Sequence, residues 1–287
     1  MRESLDPEII GTPAQLIKLL SKPEPIFNFV LYDFKLSSNW VDIVKDQTIP
    51  GIEVSSDANF EEDDNIAGLY PGLYISYIKF TKPVHFVQCR FTGPVNLRNL
   101  VFESDFQFFE PSFTESVNIF SSKFLGKTSF RSMTAKQSFT ILHSTINSDQ
   151  LGFRSCTFED GLAIYACNFI NDLDLGDSVF KKMLVIRMGN IAGKLNLAIC
   201  EIENLQIIGN HETNAPLVVK DINLSDTTVE KQTQINLVTV KGEVKADGAI
   251  FQDSVFIDNA TFQGKSWWTA VKFDKNLSIQ QSAFGDN

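Results

Sequence analysis

Large apolar residues recur along most of this chain with a period of eleven residues. Within each unit a second apolar pair follows four and six residues after the first residue, as Val84 and Phe86 follow Phe80. The members of a pair lie two residues apart, which is the spacing of side chains on one face of a β-strand, whereas a helix needs three or four. The pattern therefore predicts very short strands. The first residues of the units are Phe80, Phe91, Phe102, Phe113, Phe124, Phe158, Phe169, Phe180, Ile191, Ile202, Val229, Val240, Phe251, Phe262, Phe273 and Phe284.

Each unit can bury its apolar residues only by stacking on the next unit, so the array predicts an all-β fold, a parallel β-solenoid. Two units make a coil of about 22 residues with four short sides, and successive coils rise by about 4.8 Å. From Leu73 to Phe284 the chain is long enough for about nine or ten coils. A small side chain, predicted to point inward, lies two residues before many of the first residues: Cys89, Ser122, Cys156, Cys167, Ser178, Cys200, Ala260 and Ser282.

Several short motifs in the repeat carry a resemblance to a known family. VNLRN, LDLGD, LNLAI and INLSD, together with CRF, CTF and CNF, resemble the motif of the pentapeptide-repeat proteins. The resemblance covers about three quarters of the chain and implies a right-handed quadrilateral β-helix. The spacing here alternates between five and six residues, and Leu, Val or Phe often stands where that family prefers Ala. Slightly larger and less regular coils are therefore expected.

Two interruptions break the period. The register slips by one residue between Ile146 and Phe158, which predicts a bulge or a corner insertion. About five extra residues enter between Ile202 and Val218, and the Gly, Asn and Pro content of 209–216 predicts an excursion loop there. Such a loop is either a neutral insertion or a recognition feature. If it binds a partner, the candidate residues are Asn210, His211 and Glu212.

Residues 1–68 lie outside the clear repeat and are predicted to form a separate cap on a solenoid of residues 69–287. Residues 12–21 predict a short amphipathic helix, and the alternating residues 26–36 predict a strand that begins the stack. This segment carries thirteen acidic and five basic side chains, whereas the rest of the chain carries twenty-two and twenty. An acidic run closes it, which is either a solvated linker or a docking strip for a basic partner. The run consists of Glu61, Glu62, Asp63 and Asp64.

No comparable cap follows Phe284, so the C-terminal coil is predicted to expose a parallel strand edge. Trp267 and Trp268 are expected near the same end. Proteins normally cover such an edge, and we therefore expect these residues to form the end through which two copies associate. The family resemblance implies the same arrangement, because some pentapeptide-repeat proteins dimerise through their C-terminal ends.

The four cysteines are candidates for metal or redox chemistry, but all occupy the small inward position of the repeat. The closest pair on one face, Cys156 and Cys200, is expected two coils or about 10 Å apart, which is beyond disulfide reach. They are predicted to be buried free thiols, which fits a reducing cytoplasm. The histidines His85, His143 and His211 are scattered over a strand, a corner and the loop. We expect no metal, no cofactor and no catalytic site.

Four functions remain in competition. The first is a non-enzymatic rigid scaffold that binds an unidentified protein. The family resemblance suggests a second, a mimic of duplex DNA that occupies a type II topoisomerase, although the nearly neutral solenoid argues against it. A third is an effector of a specialised secretion system. A fourth is a β-helical carbohydrate-active enzyme, suggested by Asp172, Asp174 and Asp177, which we interpret instead as corner residues. Direct nucleic-acid binding is not expected, since no basic stripe is visible. No apolar stretch reaches the roughly 18 residues of a membrane span.

Overall fold

The computed structural model describes residues 8–10, 26–27, 29–31, 52–54, 73–76, 78–80, 83–87, 90–91, 93–148 and 152–285. These residues form 34 strands joined in one sheet, and the described part contains no helix. The predicted all-β parallel solenoid is confirmed, with about nine turns. The helix predicted over residues 12–21 lies outside the described residues.

The first strands are β1 (Glu8–Ile10), β2 (Ile26–Phe27), β3 (Phe29–Leu31) and β4 (Ile52–Val54). The next are β5 (Leu73–Ser76), β6 (Ile78–Phe80), β7 (Val84–Val87), β8 (Arg90–Phe91), β9 (Val95–Arg98), β10 (Val101–Phe102), β11 (Phe106–Phe109), β12 (Ser112–Phe113), β13 (Val117–Phe120), β14 (Lys123–Arg131), β15 (Thr134–Ala135), β16 (Phe139–Leu142) and β17 (Thr145–Ser148). The remaining strands are β18 (Thr157–Phe158), β19 (Leu162–Phe169), β20 (Leu173–Asp174), β21 (Val179–Asn196), β22 (Glu201–Ile208), β23 (Leu217–Asn223), β24 (Thr228–Val229), β25 (Thr233–Asn236), β26 (Val238–Val240), β27 (Val244–Lys245), β28 (Ile250–Phe251), β29 (Val255–Asp258), β30 (Thr261–Phe262), β31 (Ser266–Trp267), β32 (Lys272–Phe273), β33 (Leu277–Gln280) and β34 (Ala283–Phe284).

Each regular coil contributes one strand to each of four faces. In the coil that begins at Val95, these strands are β9, β10, β11 and β12, and we call the corresponding faces A, B, C and D. β9 of face A pairs in parallel with β13, so that Val95 lies opposite Val117, 22 residues later. The other faces repeat the same register, with Phe102 opposite Phe124 on face B. The predicted coil of two eleven-residue units is therefore present.

The phenylalanines stack on one another inside the coils. Phe80 and Phe102 lie with ring centroids 4.7 Å apart and planes 5° from parallel, and Phe102 and Phe124 follow at 4.9 Å. These distances match the separation of paired strands, about 4.8 Å, because each ring comes from the same position of the next coil. Opposite on face D, Phe91 and Phe113 stack at 4.9 Å. The excess of phenylalanine thus follows from the in-register repeat.

Ala135 interrupts the phenylalanine stack of face D, and a ring from the next strand takes up the space. Phe139 is fully buried and makes edge contacts with Phe113 and Phe158, the two rings on either side of Ala135 in the stack, at 6.1 and 5.8 Å. It also packs edge-on against Phe130 at 5.7 Å. The core therefore keeps its density where the period loses a large residue.

The alternation of five and six residues reflects two kinds of corner. After faces A and C the chain turns through one residue in the left-handed region, and its N–H donates to the next coil, as Asn99 does to the Phe120 carbonyl at 2.9 Å. The turns after faces B and D are one residue longer. The left-handed positions recur with the period of the sequence and are mostly not glycine: Asn99, Glu110, Ser121, Ser132, His143, Ser155, Ala166, Asp177, Met188, Ile199, Asp226, Leu237, Gly248, Asn259, Ala270 and Gln281.

Both interruptions of the period lie where the sequence predicts them. Ala135 lies opposite Phe158, 23 residues later, whereas Phe158 lies opposite Phe180 at the regular 22, so one residue enters between Ile146 and Phe158. Further on, Ile202 lies opposite Val229, 27 residues later, which accounts for five inserted residues. The solenoid absorbs each change within one coil and then resumes its register.

Part of the N-terminal region joins the stack. β2 pairs in parallel with β7, and β3 pairs in parallel with β8, at the position that the alternating residues 26–36 predict. β1 pairs in parallel with β3. β4 lies antiparallel to β6, with Ile52 opposite Phe80.

Candidate interaction surfaces

The inserted residues form a small hairpin that projects from the rod. Asn210 and Ala215 form an antiparallel bridge, and their backbone groups exchange hydrogen bonds of 2.7 and 3.0 Å. The Asn210 Oδ1 atom accepts hydrogen bonds from the N–H groups of Glu212 and Thr213, which closes the turn. His211 and Glu212 are exposed at the tip. Asn210 therefore has a structural use, and a binding role for the tip stays a prediction.

The acidic run Glu61, Glu62, Asp63 and Asp64 lies outside the described residues. Its role as a docking strip stays a prediction.

The last coil presents an apolar end. Leu277 and Ile279 occupy inward positions, yet they are 43% and 46% exposed, because no later coil covers them as they themselves cover Val255 and Ile257. An open cavity of about 320 Å³ lies at this end. Its lining is entirely apolar and consists of Ile257, Trp268, Val271, Phe273, Leu277, Ile279 and Phe284.

The sequence placed only part of this end. Trp268 and Phe284 line the cavity, as expected for a shared surface. Trp267 is exposed but holds an outward strand position and is not in the lining. Leu277 and Ile279 were missed, although their position in the final unit of the repeat was the signal that identifies them as uncovered inward residues.

Ion pairs between successive coils cluster on face D and its following corner. Lys181 binds Glu159 at 2.8 Å, and the next residue, Lys182, binds Asp160. Two further pairs, Lys231 with Glu203 and Lys275 with Asp253, continue the pattern towards the C-terminus. The hydrogen bond from Lys275 holds the pKa of Asp253 below its ordinary value. These acids face lysines of the same rod and form no continuous acidic strip.

The Asp172, Asp174 and Asp177 cluster is used by the fold. Asp174 is buried, and its Oδ1 atom accepts hydrogen bonds from the Gly176 N–H at 2.9 Å and from the Asn196 Nδ2 at 2.7 Å. Asp172 accepts from the backbone N–H of Lys194. Asp177 forms an ion pair with Arg154 at 2.5 Å. The interpretation of these carboxylates as corner residues is thus supported by their partners.

The asparagines at outward strand positions form ladders between coils. The Asn196 Oδ1 atom accepts from Asn223 Nδ2 at 2.9 Å, which continues the contact between Asn196 and Asp174. On face A, Asn118 Nδ2 donates to Asn96 Oδ1 at 3.1 Å. The bonds to local backbone groups that the sequence predicts are also present, as between the Ser225 N–H and Asn223.

Three of the four cysteines are described, and all three are buried free thiols, as predicted. Burial raises the pKa of Cys156 and Cys200 to about 12 and that of Cys167 to about 11. Each Sγ atom lies near backbone carbonyls, as Cys156 does to the Phe130 carbonyl at 2.9 Å. A thiol held in this way is protonated at neutral pH and is a poor nucleophile. Among the described residues, no group of three or more His, Cys, Asp or Glu could hold a metal ion.

No family model matches this chain, and no curated protein or solved structure matches it. Within the described part, no helix is long and apolar enough to cross a membrane.

Proposed function

We propose that this chain is a non-enzymatic rigid scaffold that acts by binding other protein chains. The observation that carries the proposal is the apolar end of the last coil, where four of the large exposed apolar side chains lie together: Trp267, Leu277, Ile279 and Phe284. Exposed apolar clusters of this kind are typical of protein-binding surfaces. Kinship with the pentapeptide-repeat proteins and a right-handed quadrilateral coil belong to the same proposal, supported by the short motifs and the four strands per coil.

The charge distribution favours the scaffold over the alternatives. A mimic of duplex DNA needs acidic side chains in surplus along the rod, whereas face D pairs its acids with lysines. A carbohydrate-active enzyme needs carboxylates that are available to substrate, whereas Asp174 and Asp177 are engaged by Asn196 and Arg154.

The occupant that we propose for the apolar end is a second copy of the chain. β33 pairs with β29 on one side, and its other edge carries backbone groups that a strand of another chain can use. The same surface on a second copy presents both a matching edge and a matching apolar cluster, which is the requirement for a two-fold symmetric interface. Association would cover Leu277 and Ile279 as a further coil would.

Sedimentation equilibrium of the full chain tests this proposal. We expect a particle of twice the chain mass of 32.2 kDa, and we expect Ile279→Glu to give the single chain because it places a charge in the interface. Leu125→Glu is the matched control, since Leu125 is equally exposed but lies after face B in the middle of the rod. A wild-type chain of single mass at micromolar concentration, or dissociation by both variants, would overturn the dimer.

A further inference from the structure

The outward positions of face A are almost without charge. Each strand of this face presents two side chains to solvent, and the row nearer the left-handed corner reads Arg98, Phe120, Leu142, Tyr165 and Arg187 in consecutive coils. We call these five residues the arginine-bounded row. Beside it runs a second row that is neutral throughout: Asn96, Asn118, Thr140, Ala163, Val185 and Gln206.

Face A differs in this respect from face D of the same coils. There the outward residues include Glu159, Lys181 and Glu203, which form ion pairs with neighbouring coils. Charged side chains keep a β-face solvated, and their absence from one face of a rod leaves that face suited to protein contact.

The arginine-bounded row combines apolar area with positive charge. Phe120, Leu142 and Tyr165 are half-buried and adjacent, and the Arg98 guanidinium lies over the Phe120 ring at 5.3 Å. His143 packs edge-on against the same ring at 5.7 Å. Beyond Arg187 the row continues with Ile208, which is buried although it points outward. The described outward positions of face A from Asn96 to Ile208 hold two arginines and no acid.

We propose that the arginine-bounded row binds an acidic amphipathic helix of a partner protein. This inference rests on the proposed scaffold function and names the face that it uses. The strands of face A have their backbone groups engaged within the sheet, so a partner must bind through side chains, and a helix brings its own backbone satisfied. Carboxylates on the helix would meet Arg98 and Arg187, each of which can take a carboxylate through two parallel hydrogen bonds.

The dimensions of the row agree with a helix that lies along the solenoid axis. One side chain per coil repeats every 4.8 Å or so, which is close to the helical pitch of about 5.4 Å. Arg98 and Arg187 are four coils apart, a distance of about 19 Å. At about 1.5 Å per residue, a helix of about thirteen residues spans that distance with three or four turns. The expected ligand therefore has apolar residues at i, i+3, i+4 and i+7 and acidic residues near both ends.

A display library of helix-templated peptides of about 16 residues, selected on the immobilised full chain, tests the inference. We expect the enriched peptides to be amphipathic and acidic, and their dissociation constants to rise about tenfold or more with Leu142→Glu and with Arg187→Glu. The matched controls are Ile170→Glu, an exposed isoleucine after face B, and Lys241→Glu, an exposed cation on the same side; neither should change binding. Circular dichroism checks that each variant is folded, and Tyr165→Ala replaces Leu142→Glu if the latter is not.

No enrichment, enrichment of basic peptides, or equal loss with the control variants would overturn the inference. The outcome is separable from that of the dimer, because Ile208 lies three coils before Gln280 and the row does not reach the apolar end. Repeating the measurement on Ile279→Glu shows whether the row binds peptide in the single chain. Peptide binding with a monomeric wild type would support the row and refute only the dimer.

Discussion

Ile199 holds a left-handed backbone conformation that β-branched residues rarely adopt, with φ of 59° at the corner after face C. Its N–H donates to the Ser225 carbonyl at 2.9 Å, so the neighbouring coil fixes this geometry. The side chain is 58% exposed and contributes little to the core. Asparagine tolerates the left-handed region and keeps the N–H group. We therefore predict that Ile199→Asn relieves backbone strain.

The expected gain follows from comparison with a second isoleucine. An ordinary residue in the left-handed region costs about 1–2 kcal/mol, most of which asparagine avoids. Loss of the covered part of the isoleucine side chain opposes this gain. Ile170 is 44% exposed and does not have a positive φ, so Ile170→Asn incurs the loss without the relief. Ile199→Asn should therefore be the more stable of the two by about 1–2 kcal/mol.

Thermal unfolding followed by circular dichroism measures the difference. For a protein of this size, about 1–2 kcal/mol corresponds to a midpoint about 2–8 °C higher for Ile199→Asn than for Ile170→Asn. Equal midpoints would refute the reasoning, because both variants remove an exposed isoleucine and only one removes left-handed strain.

Two further predictions concern the core. Phe139→Ala should lower the free energy of unfolding by about 3–5 kcal/mol in denaturant titrations, because the ring contacts Phe113 and Phe158 across the gap at Ala135; a loss below about 1 kcal/mol would show that the site collapses freely. Stability should also fall as pH rises from about 9 towards 11, because the unfolded thiols ionise while burial keeps the native thiols protonated. Replacing Cys156, Cys167 and Cys200 with alanine should flatten this part of the pH profile, and an unchanged slope would assign it to other groups.

The periodic part of the fold could be predicted from the sequence because each coil repeats one set of inward positions. Phe80, Phe102 and Phe124 lie eleven-fold multiples apart and stack in register, and the five inserted residues between Ile202 and Val229 could be counted before any coordinates. In-register stacking converts a linear spacing directly into a contact, which few folds allow.

Features that depend on local geometry or on neighbouring coils were not predictable. The spacing does not show that Phe139 fills the gap beside Ala135, because its ring belongs to another face. The left-handed corners were missed because residues such as Ile199 and Met188, which rarely adopt positive φ, occupy them. The arginine-bounded row lies at outward positions, which the apolar period does not constrain.

The two-unit coil sets a rule for how such a rod can change length during evolution. Residues eleven positions apart lie on opposite faces, whereas those 22 apart lie on the same face in adjacent coils. Duplication or deletion of a whole coil would lengthen or shorten the rod by about 4.8 Å and leave every surface in line. A change of half a coil would turn everything beyond it to the far side of the rod and split the arginine-bounded row.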